Sequence, residues 1–141
     1  MIKLFAIDDH FLIIEGLYKS FNPDSKDVEV IGSALSIEEA LEKLPTTPTD
    51  IIVLDLFIRE NDPVLNFQRL HSAFPSLPIV ILSMEDSLQW KVKMFRLGVH
   101  AFLNKGDSKA TMNDVFIRVA SGQSVIPDEV TQALISKAFL S

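Results

Sequence analysis

Apolar residues along this chain fall into two alternating kinds of run. Short β-branched and apolar segments recur at Ile2 to Ile7, Val28 to Ile31, Ile51 to Leu54 and Ile79 to Leu82, with a weaker one at His100 to Leu103. The first four are nearly continuous in apolar character, as a strand is when both faces of its sheet are covered. Between them the apolar positions take helical spacing. Ile13, Ile14, Leu17 and Phe21 share one helix face after the first run. Ser36-Ile37-Glu38-Glu39 has the form of a capping box and opens a short helix that Pro45 ends. Asp62-Pro63 opens a third helix, with proline in the first turn where its missing N–H costs little, and Pro75 and Pro78 bracket its end. A fourth is expected from about Glu85 to Leu97, stopped by Gly98. In the fifth, Met112, Val115, Phe116, Val119 and Ala120 follow the i, i+3, i+4, i+7, i+8 pattern.

Strand followed by helix, five times over, predicts an α/β fold: a three-layer αβα sandwich around a five-stranded parallel sheet with right-handed crossovers. There is no internal repeat, and Thr46-Thr47-Pro48-Thr49 reads as a polar loop. After Gly122 the pattern changes. Pro127-Asp128-Glu129 opens one more short helix carrying Val130, Ala133, Leu134 and Ala138. The expected division is a body over 1–122 and a C-terminal linker segment over 123–141.

Composition narrows the function classes. A chain of 141 residues, 48% hydrophobic, fits one folded domain. No apolar run approaches the roughly 20 residues of a membrane-spanning helix, and the apolar start is broken by Asp8, too early for a signal peptide. With no cysteine there are no disulfides or thiolate metal sites, and a cytoplasmic setting is expected. Thirteen basic against nineteen acidic residues give a net charge of −6, the wrong sign for gripping nucleic acid unaided.

In open α/β sheets ligands bind beyond the carboxyl ends of the strands. The first strand ends in Asp8-Asp9, the third in Asp55, the fourth in Ser83, and the fifth runs into Asn104-Lys105. Singly these have ordinary explanations: Asp8 or Asp9 as a helix cap, Ser83 as an N-cap, Lys105 as a solvated charge. Together they set three carboxylates, a hydroxyl and an ammonium at one edge. Clustered carboxylates repel, and a hard divalent cation with oxygen ligands relieves them; Mg²⁺, which keeps several waters, suits such a site.

Four fragments then carry a resemblance. Ile7-Asp8-Asp9-His10, Val53-Leu54-Asp55-Leu56, Leu82-Ser83-Met84 and Phe102-Leu103-Asn104-Lys105, in this order and at these intervals, resemble the signature of response-regulator receiver domains. Val119-Ala120-Ser121-Gly122 leading to Ile126-Pro127-Asp128-Glu129-Val130 further resembles the NarL/FixJ (LuxR-type) subfamily. The resemblance covers residues 1–122 and implies the flavodoxin-like, CheY-like strand order 2-1-3-4-5. It implies Asp55 as phosphoacceptor from a sensor histidine kinase, so that the chain is not an enzyme but assists its own phosphorylation and dephosphorylation. It implies Mg²⁺ on Asp9, Asp55 and the backbone carbonyl of Phe57, with Asp8 acting through water. Lys105 and Ser83 would contact the phosphoryl group, and Ser83 with Phe102 would form the switch. DNA would be reached only through a helix-turn-helix domain that these 141 residues do not include.

The fourth helix carries two apolar stripes, Leu88, Val92 and Phe95 on one side and Trp90, Met94 and Leu97 nearly opposite. Either the helix is wedged between sheet and neighbours, or one stripe is partly exposed, making Leu88, Trp90, Val92 and Phe95 candidates for a homodimer interface. The loop after Asp55 departs from the family, whose members often have Met-Pro and then glycine there. Leu56-Phe57-Ile58-Arg59-Glu60-Asn61-Asp62-Pro63 has no glycine, and Phe57 and Ile58 beside the acceptor are expected to restrict water. A dehalogenase-type phosphatase would need a second acid where Phe57 stands. A flavin carrier would need a hydroxyl- and glycine-rich turn where Asp8-Asp9-His10 stands. The remaining alternative is a receiver-like interaction module that works without phosphorylation.

Overall fold

The computed structural model describes residues 1–23, 25–60 and 62–140, leaving aside the side chains of Glu60 and of residues 137–140. Five strands, β1 (Ile2–Ile7), β2 (Val28–Ala34), β3 (Ile51–Asp55), β4 (Ile79–Ser83) and β5 (Ala101–Asn104), form one sheet in the order β2-β1-β3-β4-β5. All pairings are parallel. Helices α1 (Phe11–Phe21), α2 (Ile37–Lys43), α3 (Pro63–Ala73), α4 (Leu88–Leu97), α5 (Lys109–Ala120) and α6 (Asp128–Leu140) complete the chain.

Alternation along the strands divides the core. Leu4, Ala6, Ile51, Val53, Val80 and Leu82 pack with α1 and α5, where Phe21 meets Phe116 edge-on at 5.8 Å. Phe5, Ile7, Ile52, Leu54, Ile79 and Ile81 pack with α2, α3 and α4 on the other face. Three layers result. The register shifts between Leu4 and Phe5 opposite β2, and there a Cβ on Gly32 would come within 2.8 Å of the Phe5 ring, so only glycine fits without displacement.

Local signals explain most boundaries. Ser36 Oγ accepts from the Glu39 N–H (3.1 Å), while Glu39 Oε2 reaches the Leu35 N–H (3.1 Å), one residue before the cap. Asp62 caps α3 through its Oδ1 and the Val64 N–H, ahead of Pro63. Gly98, at φ 117°, ends α4 in the left-handed conformation. That helix starts three residues later than the sequence indicated because Ser87, not a residue before Glu85, supplies the cap.

The surroundings of α4 favour the first of its two readings, a helix wedged between sheet and neighbours. Val92, Met94 and Phe95 are all buried, Trp90 is half-buried, and only Leu88 of the candidate stripe is exposed. The outer flank is covered from within the chain. The Val125 N–H donates to the His100 carbonyl (2.7 Å), and α6 then brings the fully buried Val130, with Ala133 and Leu134, into the same cluster as α4. Lys91 pairs with Asp86 and, at 3.5 Å, with Glu129 at the start of α6. This segment is therefore anchored through Val130, Ala133 and Leu134, and Ala138 lies outside the side chains described.

Candidate functional site

Sheet order decides which strand ends meet. β1 and β3 are neighbours, so Asp8 and Asp9 emerge beside Asp55, whose Cα pairs with Leu82 on β4. Asp8 is 2% and Asp55 6% exposed, far drier than free carboxylates normally are. Lys105 comes from beyond β4. The turn that carries it is pinned by the Asn104 N–H on Asp107 Oδ2 (2.9 Å), the Gly106 N–H on Asn104 Oδ1 (2.7 Å) and the Lys105 N–H on the Ser83 carbonyl (2.9 Å). From there its ammonium crosses the edge to lie 2.8 Å from Asp8 Oδ2 and 3.2 Å from Asp55 Oδ1.

The charges do not balance. Three carboxylates face one ammonium. Burial holds the Asp55 carboxyl above its ordinary range, Asp8 and Asp9 add repulsion, and Lys105 pulls the other way. For Lys105 burial disfavours the charge, yet the hydrogen bonds and charges of Asp8 and Asp55 prevail and hold the ammonium above its ordinary value. His10, largely exposed, sets its Nδ1 3.1 Å from Asp8 Oδ1 and 3.2 Å from Asp9 Oδ1, and its N–H donates to Asp8 Oδ1 (2.9 Å).

Two oxygens show what the site lacks. Asp9 Oδ1 is buried with no hydrogen bond, and Asp8 Oδ2 has only its ion pair with Lys105. Donor atoms of Asp8, Asp9, His10 and Asp55 lie within 4.8 Å of one another. Buried carboxylate oxygens that converge with fewer donors than they can accept are a set that a hard divalent cation satisfies.

Other candidate residues stand around this cluster. Ser83 is buried, and its Oγ accepts from the Glu85 N–H (2.9 Å). Phe102, opposite Ile81 in register, is half-buried and borders a pocket of about 220 Å³ with Glu85, Asp86, Lys91, Asn104 and Asp107. The Phe57 side chain meets Trp90 of α4 edge-to-face at 5.2 Å, and Ile58 is wholly buried. Sequence reasoning assigned no part to Arg59 or to the His10 ring. His10 was readable as the residue after an acid pair. Arg59 was not, since its N–H donates to Asp9 Oδ2 (3.2 Å) across fifty residues of chain.

Comparison with known proteins agrees with this geometry. Residues 4–116 match the response regulator receiver domain. Curated relatives include the response regulator GacA of Pseudomonas syringae, 24% identical over 99% of this chain and 64% of that protein. The DNA-binding transcriptional activator DevR/DosR of Mycobacterium tuberculosis is 26% identical (97% and 63%), and the response regulator protein VraR of Staphylococcus aureus 27% (92% and 61%). The chain thus spans less than two thirds of the length of these relatives. Among solved structures, the isolated REC domain of RcsB from Salmonella enterica serovar Typhimurium superposes with a TM-score of 0.82 at 19% identity, covering 95% of this chain and 98% of that one. A LuxR-family two-component response regulator from Aurantimonas gives 0.81 at 18% identity, covering 97% of each. At these identities the structures establish the fold, while the family match covers most of the chain: this protein belongs to the response regulator receiver domain family.

Proposed function

We propose that the chain accepts a phosphoryl group on Asp55 and signals through the rearrangement that follows. The observation that carries the reading is the ammonium of Lys105 between Asp8 and Asp55 at the carboxyl edge of the sheet. An Asp55 carboxylate oxygen forms the new O–P bond as the donor's bond to phosphorus breaks in line. That bond is P–N in a phosphohistidine of a sensor kinase and P–O in a small acyl phosphate. Such a transfer needs positioning and charge neutralisation more than further covalent chemistry. Receiver domains are accordingly phosphoacceptors rather than classical enzymes.

Lys105 favours the ionised nucleophile against burial and offsets charge on the transferring oxygens. Asp9, Asp55 and the backbone carbonyl of Phe57 would hold Mg²⁺, with Asp8 acting through water; when bound, the ion neutralises charge gathering on the phosphoryl oxygens. Ser83 donates to the phosphoryl group by turning its hydroxyl from the Glu85 N–H, which loosens the start of the β4–α4 loop. Phe102 borders the pocket beside that loop and is the side chain placed to follow it. Couplings of about 1–3 kcal/mol suffice for such a switch.

Residues 1–122 form the receiver body and 123–141 the linker segment, of which Val130, Ala133 and Leu134 pack in the same cluster as α4. By analogy with the DNA-binding relative, the signal passes to DNA through an output domain beyond these residues. A homodimer on the receiver would use surface other than the buried Val92 and Phe95. Among the described residues no helix is long and apolar enough to cross a membrane, and we place the chain in the cytoplasm with its kinase partner.

Incubation with Mg²⁺ and acetyl phosphate, followed by intact-mass measurement, tests the reading. One phosphoryl is expected on the native chain and none on Asp55→Asn. No adduct on either chain would instead support a module that works without phosphorylation.

A further inference from the structure

The turn after Asp55 contains the one non-glycine residue with positive φ among those described: Arg59, at φ 50° and ψ 38°. An L residue is disfavoured there, and arginine lacks the short polar side chain that lets asparagine or aspartate adopt the conformation. Two contacts hold it. Ile58, immediately before, is completely buried, and Arg59 Nε donates to the Leu35 carbonyl at 2.9 Å. Leu35 follows β2, Asp9 follows β1, and Arg59 follows β3. These strands are consecutive in the sheet, so the arginine spans all three ends.

The conformation aims the Arg59 N–H at Asp9 Oδ2, 3.2 Å away. The two oxygens of Asp9 thereby acquire different tasks. Oδ2 is tied to the backbone, while Oδ1 stays buried without a hydrogen bond, with the largely exposed His10 ring as a polar neighbour (Nδ1 at 3.2 Å), among the ligand atoms of Asp8, His10 and Asp55. With Ile58 buried on one side and the capped start of α3 on the other, negative φ at 59 requires the 58–59 peptide to turn over, which points the N–H away and releases Asp9 to rotate.

We propose that Arg59 is a positioning residue for the cation site: its left-handed backbone, anchored by the guanidinium on Leu35, fixes Asp9 so that Oδ1 is presented to a divalent cation. This rests on the reading above that the acidic cluster binds such an ion. Arg59 itself touches neither the ion nor the phosphoryl group. Outer groups that orient a metal ligand commonly tune affinity by about ten- to a hundredfold.

The test is the rise in melting temperature of the full chain with increasing Mg²⁺, which yields an affinity without any phosphorylation assay. Arg59→Ala keeps the N–H but disfavours the conformation and loses the anchor, so affinity is expected to fall about tenfold. Arg59→Gly also loses the anchor but adopts positive φ freely, and is expected to stay within about twofold of the native chain. A purely structural role would lower the metal-free melting temperature of both variants and leave the Mg²⁺ affinity unchanged. Native affinity in Arg59→Ala, or equal loss in Ala and Gly variants, would overturn the positioning role. Should Arg59→Ala not fold, Arg59→Gly and Arg59→Asn decide it, since both tolerate positive φ and both must then retain affinity. A native chain that gains no stability from Mg²⁺ overturns the cation site itself, and the positioning role with it.

Discussion

Where the strands begin, Asp50 is exposed and accepts at Oδ2 from the Lys3 N–H (2.8 Å); where they stop, Asp55 is buried against Asp8 and a single lysine. The starting end has a cavity of about 570 Å³, lined by His71, His100, Pro75 and Gly122 among others. Among the described residues there, a buried unpaired side-chain nitrogen, His100 Nδ1, belongs to an imidazole that burial pushes toward the neutral form, with His71 adding to the effect. Among those residues no uncompensated carboxylate or ammonium is buried. At the other end repulsion among carboxylates is built in, and folding alone gives no reason to keep it. A cavity of that size is thus not enough to mark the working end of this sheet; the clustered charges do.

Removing Lys105 should break this contrast most severely. Lys105→Met leaves Asp8 and Asp55 buried without their cation, which commonly costs about 3–5 kcal/mol. Urea unfolding at pH 7.5 should show that loss, and acetyl phosphate should give little or no adduct. The loss should shrink in acid, because protonating the two carboxylates relieves the repulsion. A variant as stable as the native chain at pH 7.5 would show that the edge is not under charge strain.

Asp55→Asn tests the same strain from the other side. The folded-state pKa of Asp55 is raised, so its contribution to stability is fully present below the ordinary carboxylate value and is lost as pH rises through the raised one. The asparagine variant should therefore melt a few degrees above the native chain at pH 7.5, and the advantage should vanish in acid. A variant that melts lower at every pH would contradict the assigned direction.

The smallest change is expected at the starting end. Asp50→Ala removes one hydrogen bond to the Lys3 backbone and should cost about 1 kcal/mol or less. Adduct formation and Mg²⁺ response should be unaltered. A loss of either would mean that the two ends are coupled through β1 and β3.

Much of this arrangement could be read in the sequence, for reasons that are local. Strands buried on both faces leave continuous apolar runs, and Asp9, Asp55, Ser83 and Lys105 stand at most two residues beyond those runs, so the strand ends and the polar residues they bring together were legible together. What was missed depends on distant chain. The stripe of Val92 and Phe95 reads as surplus hydrophobicity until Val130, far along the chain, is known to pack in the same cluster. The late start of α4 turns on one hydroxyl, since Ser87 caps the Trp90 N–H. Nothing in the turn after Asp55 signals a left-handed residue, yet Arg59 adopts that conformation, held by Leu35 and by burial of Ile58. The pairing of Phe57 with Trp90 likewise joins a loop to a helix that no periodicity connects.

The central claim is that Asp55, among three carboxylates at one edge, takes the phosphoryl group. Borohydride reduces an acyl phosphate to an alcohol, so treating the chain after acetyl phosphate and Mg²⁺ converts the acceptor aspartate to homoserine, which peptide mass spectrometry locates. Homoserine at position 55 alone, dependent on Mg²⁺, is the expected result. Homoserine at position 8 or 9, or at none of the three, would contradict the account.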